Sequence, residues 1–368
     1  MSPGGQPAPF RPSAEPSSFG HHFLIGLQKS PVLTDHDKRL LAALRPTGVV
    51  LFRDNFSHGL PYAEWLAMHA RQLSEVREVI GREDLLICID HEGGPVLRTP
   101  DPVTRFAAAS QWPDQAEAVG GAMGRELRSL GVNVDFAPVA DIHLNADNPV
   151  IGQRALGATA EAVARASVDF LHGLQSAEVL GCAKHFPGHG ATDADSHEEL
   201  PFLDQPLTTL REREFVPFKT LIAAGVPMVM TAHIVFPQLA PDVPATLSSH
   251  ILTGILRGEL GFEGVVVTDD VGMRAVAARF AQPETGAEAV AAGCDLIAVC
   301  AHLADTNLAL GLARGIASGW QSGRLPTELL ERSHDRIAAL RMLAPQHRVE
   351  ELPEAAFAEH RRLAPLLA

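Results

Sequence analysis

The most constraining feature of this sequence is the alternation of eight short apolar segments with longer segments of helical periodicity. The apolar segments are rich in Val, Ile and Leu, which is typical of strands buried on both faces of a parallel sheet. They cover residues 23–27, 49–52, 85–90, 132–139, 182–186, 226–233, 265–269 and 295–300. Eight such strands alternating with helices predict an α/β fold, a TIM-type (β/α)8 barrel in a single domain.

An open, doubly wound sheet is the alternative, and it usually carries a glycine-rich phosphate-binding loop after its first strand. No such loop follows the first predicted strand, which favours the barrel. Helices are predicted over residues 35–44, 63–80, 115–130, 160–177, 207–224, 249–260, 284–292, 302–318 and 328–343. We expect the barrel to span residues 21–345, between a disordered Pro-, Ser- and Gly-rich tail (1–20) and a C-terminal helical tail (346–368).

Composition disfavours several classes of function. The 368 residues include 30 Lys and Arg against 44 Asp and Glu, a formal charge of −14, and the basic residues do not cluster. Such a chain is a poor candidate for binding nucleic acid or an anionic membrane, and no run of eighteen apolar residues predicts a membrane span. The four cysteines form no C-x-x-C pair, which favours buried reduced thiols in a cytoplasmic protein over a disulfide framework.

Polar residues recur at the C-terminal ends of the predicted strands. Asp90 ends the third strand, Lys184 and His185 end the fifth, His233 ends the sixth and Asp269 ends the seventh. In a barrel, the active site lies where strands end and loops begin. Because unpaired charges are costly to bury, their recurrence at one end predicts a shared polar pocket. Each residue taken alone is also explained as a loop cap or a member of a buried ion pair.

The segment 184–197 holds three histidines and two aspartates. His185 and His189 are four residues apart, as zinc ligands on a helix are, but the Pro and Gly residues around them break a helix and disfavour a metal site. Asp195 and His197 are separated by one residue, so in an extended loop their side chains point the same way. A carboxylate beside an imidazole raises its pKa and makes a general acid/base. The alternative is a loop that an Asp–His hydrogen bond holds in place.

Asp269 is the strongest candidate for a nucleophile. It follows the strand-forming segment 264–267, and a carboxylate there can attack an anomeric carbon to form a covalent glycosyl intermediate. Spacing alone leaves the neighbouring Asp270 open as an alternative. The sequence contains no G-x-S-x-G motif of a serine hydrolase and no Walker or dinucleotide-binding motif.

These motifs resemble, over residues 22–340, those of the single-domain β-N-acetylglucosaminidases of glycoside hydrolase family 3, the NagZ type. The most specific of them is Lys184-His185-Phe186-Pro187-Gly188-His189-Gly190, followed by Asp195-Ser196-His197. Supporting motifs are Asp90-x-Glu92-Gly93-Gly94, Phe136-Ala137-Pro138-Val139-Ala140-Asp141, Ile151-Gly152-Gln153-Arg154 and Gly261-Phe262-Glu263-Gly264 ahead of Asp269-Asp270.

The resemblance implies a retaining, two-step glycosidase without a cofactor or a metal ion. Asp269 would be the nucleophile and His197 the acid/base, with Asp195 as its partner on a mobile loop. The residues implied in binding a GlcNAc-containing saccharide are Asp90, Arg98, Arg154, Lys184 and His185, and the resemblance implies a supporting role for His233 and Asp141. The implied substrate is terminal β-linked GlcNAc in cell-wall fragments such as GlcNAc-1,6-anhydroMurNAc, hydrolysed in the cytoplasm.

The sequence departs from the family pattern near these motifs. His91, Pro95, Thr268 and Val271-Gly272 stand where the family often has Gln, Arg, Ser and Leu-Ser. None of these changes removes a catalytic group, but they leave the fine substrate preference open. A phosphorylase is an alternative, since a histidine acid/base repels phosphate less than a glutamate does. Substrate-assisted hydrolysis, a sugar-binding module without activity and a metal-dependent hydrolase are others, and oligomeric state is not predicted.

Overall fold

The fold is described from a computed structural model, which covers residues 12–13, 15–193, 200–300 and 306–367. In chain order, the strands are β1 (Phe23–Gly26), β2 (Gly48–Leu51), β3 (Leu86–Ile89), β4 (Val134–Asp135), β5 (Leu180–Phe186), β6 (Met228–Thr231), β7 (Val235–Phe236), β8 (Ala240–Pro244), β9 (Val265–Thr268) and β10 (Ile297–Val299). Among the described residues, eight of these strands form one sheet, and β7 and β8 form a separate antiparallel pair.

The eight-stranded sheet closes on itself. Its strands are parallel and lie in the order β10-β1-β2-β3-β4-β5-β6-β9. The two edge strands meet at a parallel bridge between Val267 and Leu296. The amide of Thr268 donates to the carbonyl of Leu296, and the amide of Asp295 donates to that of Val266. The single-domain, TIM-type (β/α)8 barrel predicted from the sequence is therefore confirmed.

Helices surround the barrel. They are α1 (Asp35–Leu44), α2 (Tyr62–Ile80), α3 (Ala116–Ser129), α4 (Ala160–Ser176), α5 (Leu207–Glu212), α6 (Phe215–Ala223), α7 (Arg274–Phe280), α8 (Glu284–Ala292), α9 (Thr306–Gln321), α10 (Thr327–Leu343) and α11 (Glu354–His360). A π-helix covers His250–Glu259, and 3-10 helices cover Pro16–His22, Arg53–Asn55, Ala109–Gln111, Pro113–Gln115, Gly152–Arg154 and Ala245–Leu247. Within the described ranges, no helix combines the length and apolar character needed to cross a bilayer.

Several local features differ from the predicted elements, and one is α7, where no helix is predicted. The helix predicted over 207–224 is divided into α5 and α6, because the ring of Pro217 would clash with the carbonyl of Arg213 four residues earlier. The β7–β8 hairpin was not predicted. One of its strands has only two residues, and the other has exposed positions and ends in a proline, so neither shows strand periodicity.

Alternate side chains of each strand point into the barrel. The inner core contains Leu24, Val50, Leu86, Cys88, Val134, Phe136, Cys182, Met228, Met230, Val265, Val267, Leu296 and Ala298. The intervening side chains pack outward against the helices in a second core, among them Ile25, Val49, Ile87, Val229, Val266 and Ile297. Because both faces are buried, the strands are apolar throughout rather than alternating with polar residues.

Helix α10 closes one end of the barrel. Its residues Ile337 and Leu340 pack into the inner core together with Ala344. Nearby, the buried Asp295 accepts hydrogen bonds of 2.7 Å from both Arg257 and Arg336. Since Asp295 precedes β10 and Arg336 lies on α10, this ion cluster fixes the helix to the N-terminal ends of the strands.

Residues outside both predicted boundaries of the barrel also pack against it. Residues 16–20 were assigned to the disordered tail, but they belong to the 3-10 helix Pro16–His22, whose Phe19 is fully buried in the core. The large apolar area of Phe19 explains the correction, because burying it stabilises the packed state. At the other end, α11 buries Phe357 and His360, and His360 Nδ1 lies 2.6 Å from Glu126 Oε1 of α3.

Candidate active site

A pocket of about 190 Å³ opens at the C-terminal ends of the barrel strands. Its floor consists of inner-core side chains, namely Val50, Phe136, Met230 and Ala298. Further up, its apolar wall is made by Phe52, Val96, Val150, Met273 and Cys300. The position agrees with the rule that barrel enzymes carry their active sites at this end of the strands.

The polar wall of the pocket contains every predicted site residue that the structure describes. These residues are Asp90, Arg98, Arg154, Lys184, His185 and Asp269. The other two predicted residues, Asp195 and His197, lie outside the described residues. Of the predicted strand-end polar groups, Asp90, Lys184, His185 and Asp269 line this pocket, whereas His233 does not.

Lys184 of β5 lies at the centre of an ion-pair array on the pocket wall. Its Nζ atom is 2.8 Å from Asp90 Oδ1 and 2.5 Å from Glu92 Oε1. Glu92 also accepts two hydrogen bonds from Arg154, of 2.8 Å from Nε to Oε2 and 2.9 Å from Nη2 to Oε1. Asp90 and Glu92 follow β3 two residues apart and reach the same cation, as same-side residues of an extended chain do.

The array fixes the charges of its members. Burial alone would raise the pKa of Asp90 and of Glu92, but the neighbouring cations outweigh burial and lower the pKa of both carboxyls. Burial would lower the pKa of Lys184, and the two carboxylates instead raise it. All three groups are therefore ionised at neutral pH, and they present fixed charges to a ligand.

The members of this wall differ in exposure. The side chains of Asp90, Arg98 and Arg154 are 19, 28 and 13% exposed, whereas those of Lys184 and Glu92 are 2 and 3% exposed. Arg98 is held by two contacts, since Nη2 lies 3.6 Å from Asp90 Oδ2 and the guanidinium lies 5.7 Å from the ring centroid of Phe52. The first three side chains thus face the pocket, and the last two support them.

Asp141 orients His185. The imidazole Nδ1 lies 2.7 Å from Asp141 Oδ2, and the backbone amides of His185 and His189 also donate to this carboxylate. Because a carboxylate oxygen only accepts, Nδ1 carries a proton in this pair. Asp141 therefore fixes both the rotation of the ring and the nitrogen that is protonated.

The chain after β5 forms a loop, as its Pro and Gly residues predict. Gly188 has φ of +132°, and a Cβ on Gly190 would lie 1.7 Å from the carbonyl oxygen of Ile142. The rings of His185 and His189 therefore do not share a helix face, and they meet edge to face with their centroids 5.8 Å apart. In the part of the chain described, no group of three or more His, Cys, Asp or Glu side chains is arranged to hold a metal ion.

Asn148 ties this loop to the preceding one. Its Nδ2 atom donates to the carbonyls of His189 and Thr192, each at 3.0 Å. Its Oδ1 atom accepts from the amides of Val150 and Ile151 at 2.9 and 2.7 Å. Thr192 Oγ1 lies 2.9 Å from His189 Nδ1, and burial lowers the pKa of His189 to about 4. The loops after β4 and β5 are therefore joined through one buried amide.

Side chains alternate along β9, and those of Val265 and Val267 point into the barrel. Asp269 is the next residue in this alternation, which explains why it faces the pocket. Its Oδ1 atom accepts a 2.7 Å hydrogen bond from the backbone amide of Asp270. Burial would raise the pKa of Asp269, but His185, His233 and this amide lower it below its usual value. Asp269 is therefore a carboxylate at neutral pH.

Asp270 has a different environment. Its Oδ1 atom accepts from the backbone amides of Gly272 and Cys300 at 2.9 and 3.1 Å. This carboxylate thus links the ends of β9 and β10. The carboxylate of Asp269 accepts one backbone amide and that of Asp270 accepts two, so Asp269 stays the stronger candidate for a nucleophile.

Sequence reasoning did not select Glu92 or Phe52 as site residues, and it gave Asp141 only a supporting role. The signal for Glu92 was available, since the Asp90-x-Glu92 spacing places both carboxylates on the same side of an extended segment. The contact of Phe52 with Arg98 joins loops that are distant in sequence. No spacing rule could have found that contact.

Comparisons with known proteins agree with this geometry. Residues 27–340 match the family described as glycosyl hydrolase family 3 N terminal domain. A β-hexosaminidase of Alkalilimnicola ehrlichii is 36% identical over 290 residues, which are 76% of this chain and 80% of the relative. A β-hexosaminidase of Thioalkalivibrio sulfidiphilus is 36% identical over 281 residues, 73% of this chain and 78% of the relative.

Solved structures show the same similarity. A family 3 β-N-acetylglucosaminidase from Paenibacillus sp. superposes with a TM-score of 0.85 at 34% identity, over 96% of this chain and 68% of that one. NagZ from Neisseria gonorrhoeae, in complex with N-trifluoroacetyl-D-glucosamine, superposes with a TM-score of 0.70 at 29% identity, over 93% of this chain and 97% of that one. The family match over most of the barrel and the curated relatives together establish that this chain belongs to glycoside hydrolase family 3.

Proposed function

We propose that this chain is a retaining exo-β-N-acetylglucosaminidase that hydrolyses terminal β-linked GlcNAc. The observation that carries the proposal is an ionised carboxylate, Asp269, in one small pocket with the charged groups of Asp90, Arg98 and Arg154. Retaining hydrolysis requires a carboxylate nucleophile beside groups that bind sugar hydroxyls. The relatives named β-hexosaminidase and the neighbour bound to N-trifluoroacetyl-D-glucosamine support GlcNAc as the sugar.

In the proposed first step, the carboxylate of Asp269 forms a bond to C1 as the C1–O bond to the leaving group breaks. The leaving oxygen takes a proton from His197, whose tautomer Asp195 would hold. In the second step, water bonds to C1, its proton passes to His197, and the bond from C1 to Asp269 breaks. The motif Asp195-Ser196-His197 supports this pair of roles, which follows the family pattern.

Substrate binding is proposed for the five predicted residues. Asp90, Arg98 and Arg154 are the more exposed, which supports direct hydrogen bonds to sugar hydroxyls. Lys184 is almost buried between two carboxylates, which supports a role in orienting Asp90 as well as in binding. The fifth residue, His185, lines the same wall. The pocket is smaller than the roughly 300–1,000 Å³ of sites for drug-sized ligands, which supports a single terminal sugar ring.

We further propose that the natural substrates are cell-wall fragments such as GlcNAc-1,6-anhydroMurNAc and that the reaction takes place in the cytoplasm. Similarity to NagZ supports the substrate class. The four cysteines are free and buried, which is the usage expected in a reducing compartment.

The proposed function is tested by the release of 4-nitrophenol from its β-GlcNAc glycoside, beside the matching β-glucoside and without phosphate. We expect turnover of the GlcNAc compound and its loss in Asp269→Ala. The matched control is Asp242→Asn, an exposed acid on β8, which should retain full activity. Turnover that requires phosphate and releases a sugar 1-phosphate would overturn hydrolysis, and full activity of Asp269→Ala would overturn the nucleophile.

A further inference from the structure

A buried chain of hydrogen bonds ends at the backbone next to Asp269. Thr231 Oγ1 lies 2.9 Å from Thr246 Oγ1, which lies 2.8 Å from His233 Nδ1. His233 Nε2 lies 3.2 Å from the carbonyl oxygen of Asp270. Thr231, Thr246 and His233 are each no more than 1% exposed. Neither the proposed binding of sugar nor the acid/base chemistry uses these three side chains.

The hydrogen-bond partners set the direction of this chain. A carbonyl oxygen only accepts, so His233 Nε2 carries a proton. Burial lowers the pKa of His233, so the ring holds a single proton at neutral pH and Nδ1 accepts. Thr246 Oγ1 donates to the carbonyl of Ala232 at 3.0 Å and lies 2.8 Å from Nδ1, so its single proton is shared between these two acceptors. Thr231 then donates to Thr246.

We propose that His233 is a positioning residue for the nucleophile. Together with Asp270, His233 fixes the Asp269–Asp270 backbone so that Asp269 Oδ2 attacks C1. This inference rests on the proposed function. The Asp270 amide holds Oδ1 of Asp269 at 2.7 Å, which leaves Oδ2 to approach the sugar. His233 holds the Asp270 carbonyl, and the amides of Gly272 and Cys300 hold its carboxylate.

The assignment of Oδ2 has a chemical consequence for both steps. When Oδ2 bonds to C1, Oδ1 becomes the carbonyl oxygen of the ester and still accepts from the Asp270 amide. When the ester breaks, negative charge returns to the carboxylate, and the same amide stabilises it. A tilt of this backbone would misplace Oδ2 relative to C1, and small misplacements of reacting atoms lower rates strongly.

Two substitutions of His233 separate positioning from packing. His233→Gln keeps an N–H donor for the Asp270 carbonyl and an oxygen that accepts from Thr246. His233→Phe keeps the bulk and loses both hydrogen bonds. The matched control is His69→Phe, because His69 is also a buried histidine whose Nε2 bonds to a backbone carbonyl, that of Leu130 at 2.8 Å, and it does not line the pocket.

The readout is the covalent labelling of Asp269 by 5-fluoro-β-GlcNAc fluoride, followed by intact mass. We expect the labelling rate constant of His233→Phe to fall about 10- to 100-fold with an unchanged inhibition constant. His233→Gln should stay within about threefold of the wild type, as should His69→Phe. A folding defect alone would lower the labelled fraction and the melting temperature, not the rate constant of the molecules that react.

Each outcome decides the inference. A labelling rate constant for His233→Phe equal to that of His69→Phe would overturn it while leaving the proposed function intact. Absence of label on Asp269 in the wild-type protein would overturn the proposed function and this inference with it. If His233→Phe does not fold, Thr246→Val carries the test. It removes the donor to Nδ1, and an unchanged labelling rate constant in that variant would likewise overturn the inference.

Discussion

Glu92 and Arg154 form a two-point ion pair on the pocket wall, with Nε–Oε2 and Nη2–Oε1 distances of 2.8 and 2.9 Å. Glu259 and Arg211 form the same two-point pair at the surface, with both distances at 2.7 Å. The side chain of Glu92 is 3% exposed and that of Glu259 is 33% exposed. The two glutamates therefore form the same pair with an arginine, but Glu92 is more deeply buried and also contacts Lys184.

We predict that Glu92→Gln lowers the free energy of unfolding by about 3–5 kcal/mol, because it leaves Lys184 and Arg154 buried with one carboxylate fewer. Glu259→Gln should cost far less, because solvent screens the exposed pair. Urea denaturation at pH 7 measures both values. Equal losses in the two variants would contradict the prediction.

The stability lost in Glu92→Gln should depend on pH. The pKa of Glu92 is lowered in the folded protein, so its carboxylate stabilises the fold above the unfolded pKa of about 4.3. That contribution is lost as the pH falls from there toward the lower folded pKa. The difference between wild type and Glu92→Gln should therefore be constant from pH 5 to 7 and shrink below about pH 4. A difference that grows on acidification would have the wrong sign.

Asp141→Asn is expected to lower kcat/KM for the β-GlcNAc glycoside about 10- to 100-fold, because an amide nitrogen would face donors that the carboxylate now satisfies. If Asp141 acts through His185, then Asp141→Asn should add little to His185→Ala. The measurement is a double-mutant cycle on kcat/KM, with Asp242→Asn as the control for an exposed acid. Additive losses would show that the two residues act separately.

Asn148→Asp should distinguish the hydrogen bonds that Asn148 accepts from those that it donates. It keeps the oxygen that accepts from the amides of Val150 and Ile151 and loses the donors to the carbonyls of His189 and Thr192. We expect faster hydrogen exchange in residues 187–193 with unchanged exchange in 149–152, whereas Asn148→Ala should accelerate both. Hydrogen-exchange mass spectrometry makes the comparison, and equal exchange in the two variants would refute this division.

Buried neutral histidines should make the protein less stable in mild acid. Burial lowers the pKa of His69 to about 4, so between about pH 6.5 and 4 the unfolded chain binds a proton that the folded one does not. Over this range His69 lowers the free energy of unfolding by up to about 1.4 kcal/mol per pH unit as the pH falls. His69→Gln should remove this contribution of His69 to the pH dependence of the unfolding free energy, as measured by urea denaturation. His58→Gln, at an exposed histidine with a similar 2.9 Å bond to a carbonyl, should leave it unchanged.

The barrel was predictable because its physical signal is local in the chain. Strands such as β2 and β9 are buried on both faces, so nearly every residue is Val, Ile or Leu. Asp90, Lys184 and Asp269 were predictable for a related reason, since charges that recur at the ends of several such strands indicate a shared polar pocket. The resemblance to the family motifs then assigned these residues to one site, which their spacing alone did not do.

The parts that escaped prediction depend on contacts between distant segments. Phe19 is apolar in a Pro- and Ser-rich stretch, and its burial follows from its fit to the barrel surface rather than from any period. His233 reads as a strand-end polar residue, yet its partners are Thr246 and the backbone of Asp270. The pattern of apolar residues continues without interruption from α5 to α6, but Pro217 prevents one continuous helix, and α6 begins as a separate helix.

Helix α10 has a consequence for the order of events in the pocket. Ile337 and Leu340 fill the far end of the barrel, so in the part of the barrel described the pocket is closed at that end. Substrate, water and products therefore reach and leave Asp269 through the same opening. In the proposed reaction, the aglycone occupies the path by which the attacking water must arrive. The aglycone therefore departs before water enters, and GlcNAc, the deepest group, departs last. A helix at the bottom of the barrel thus leaves both products of the proposed reaction the same exit at the top.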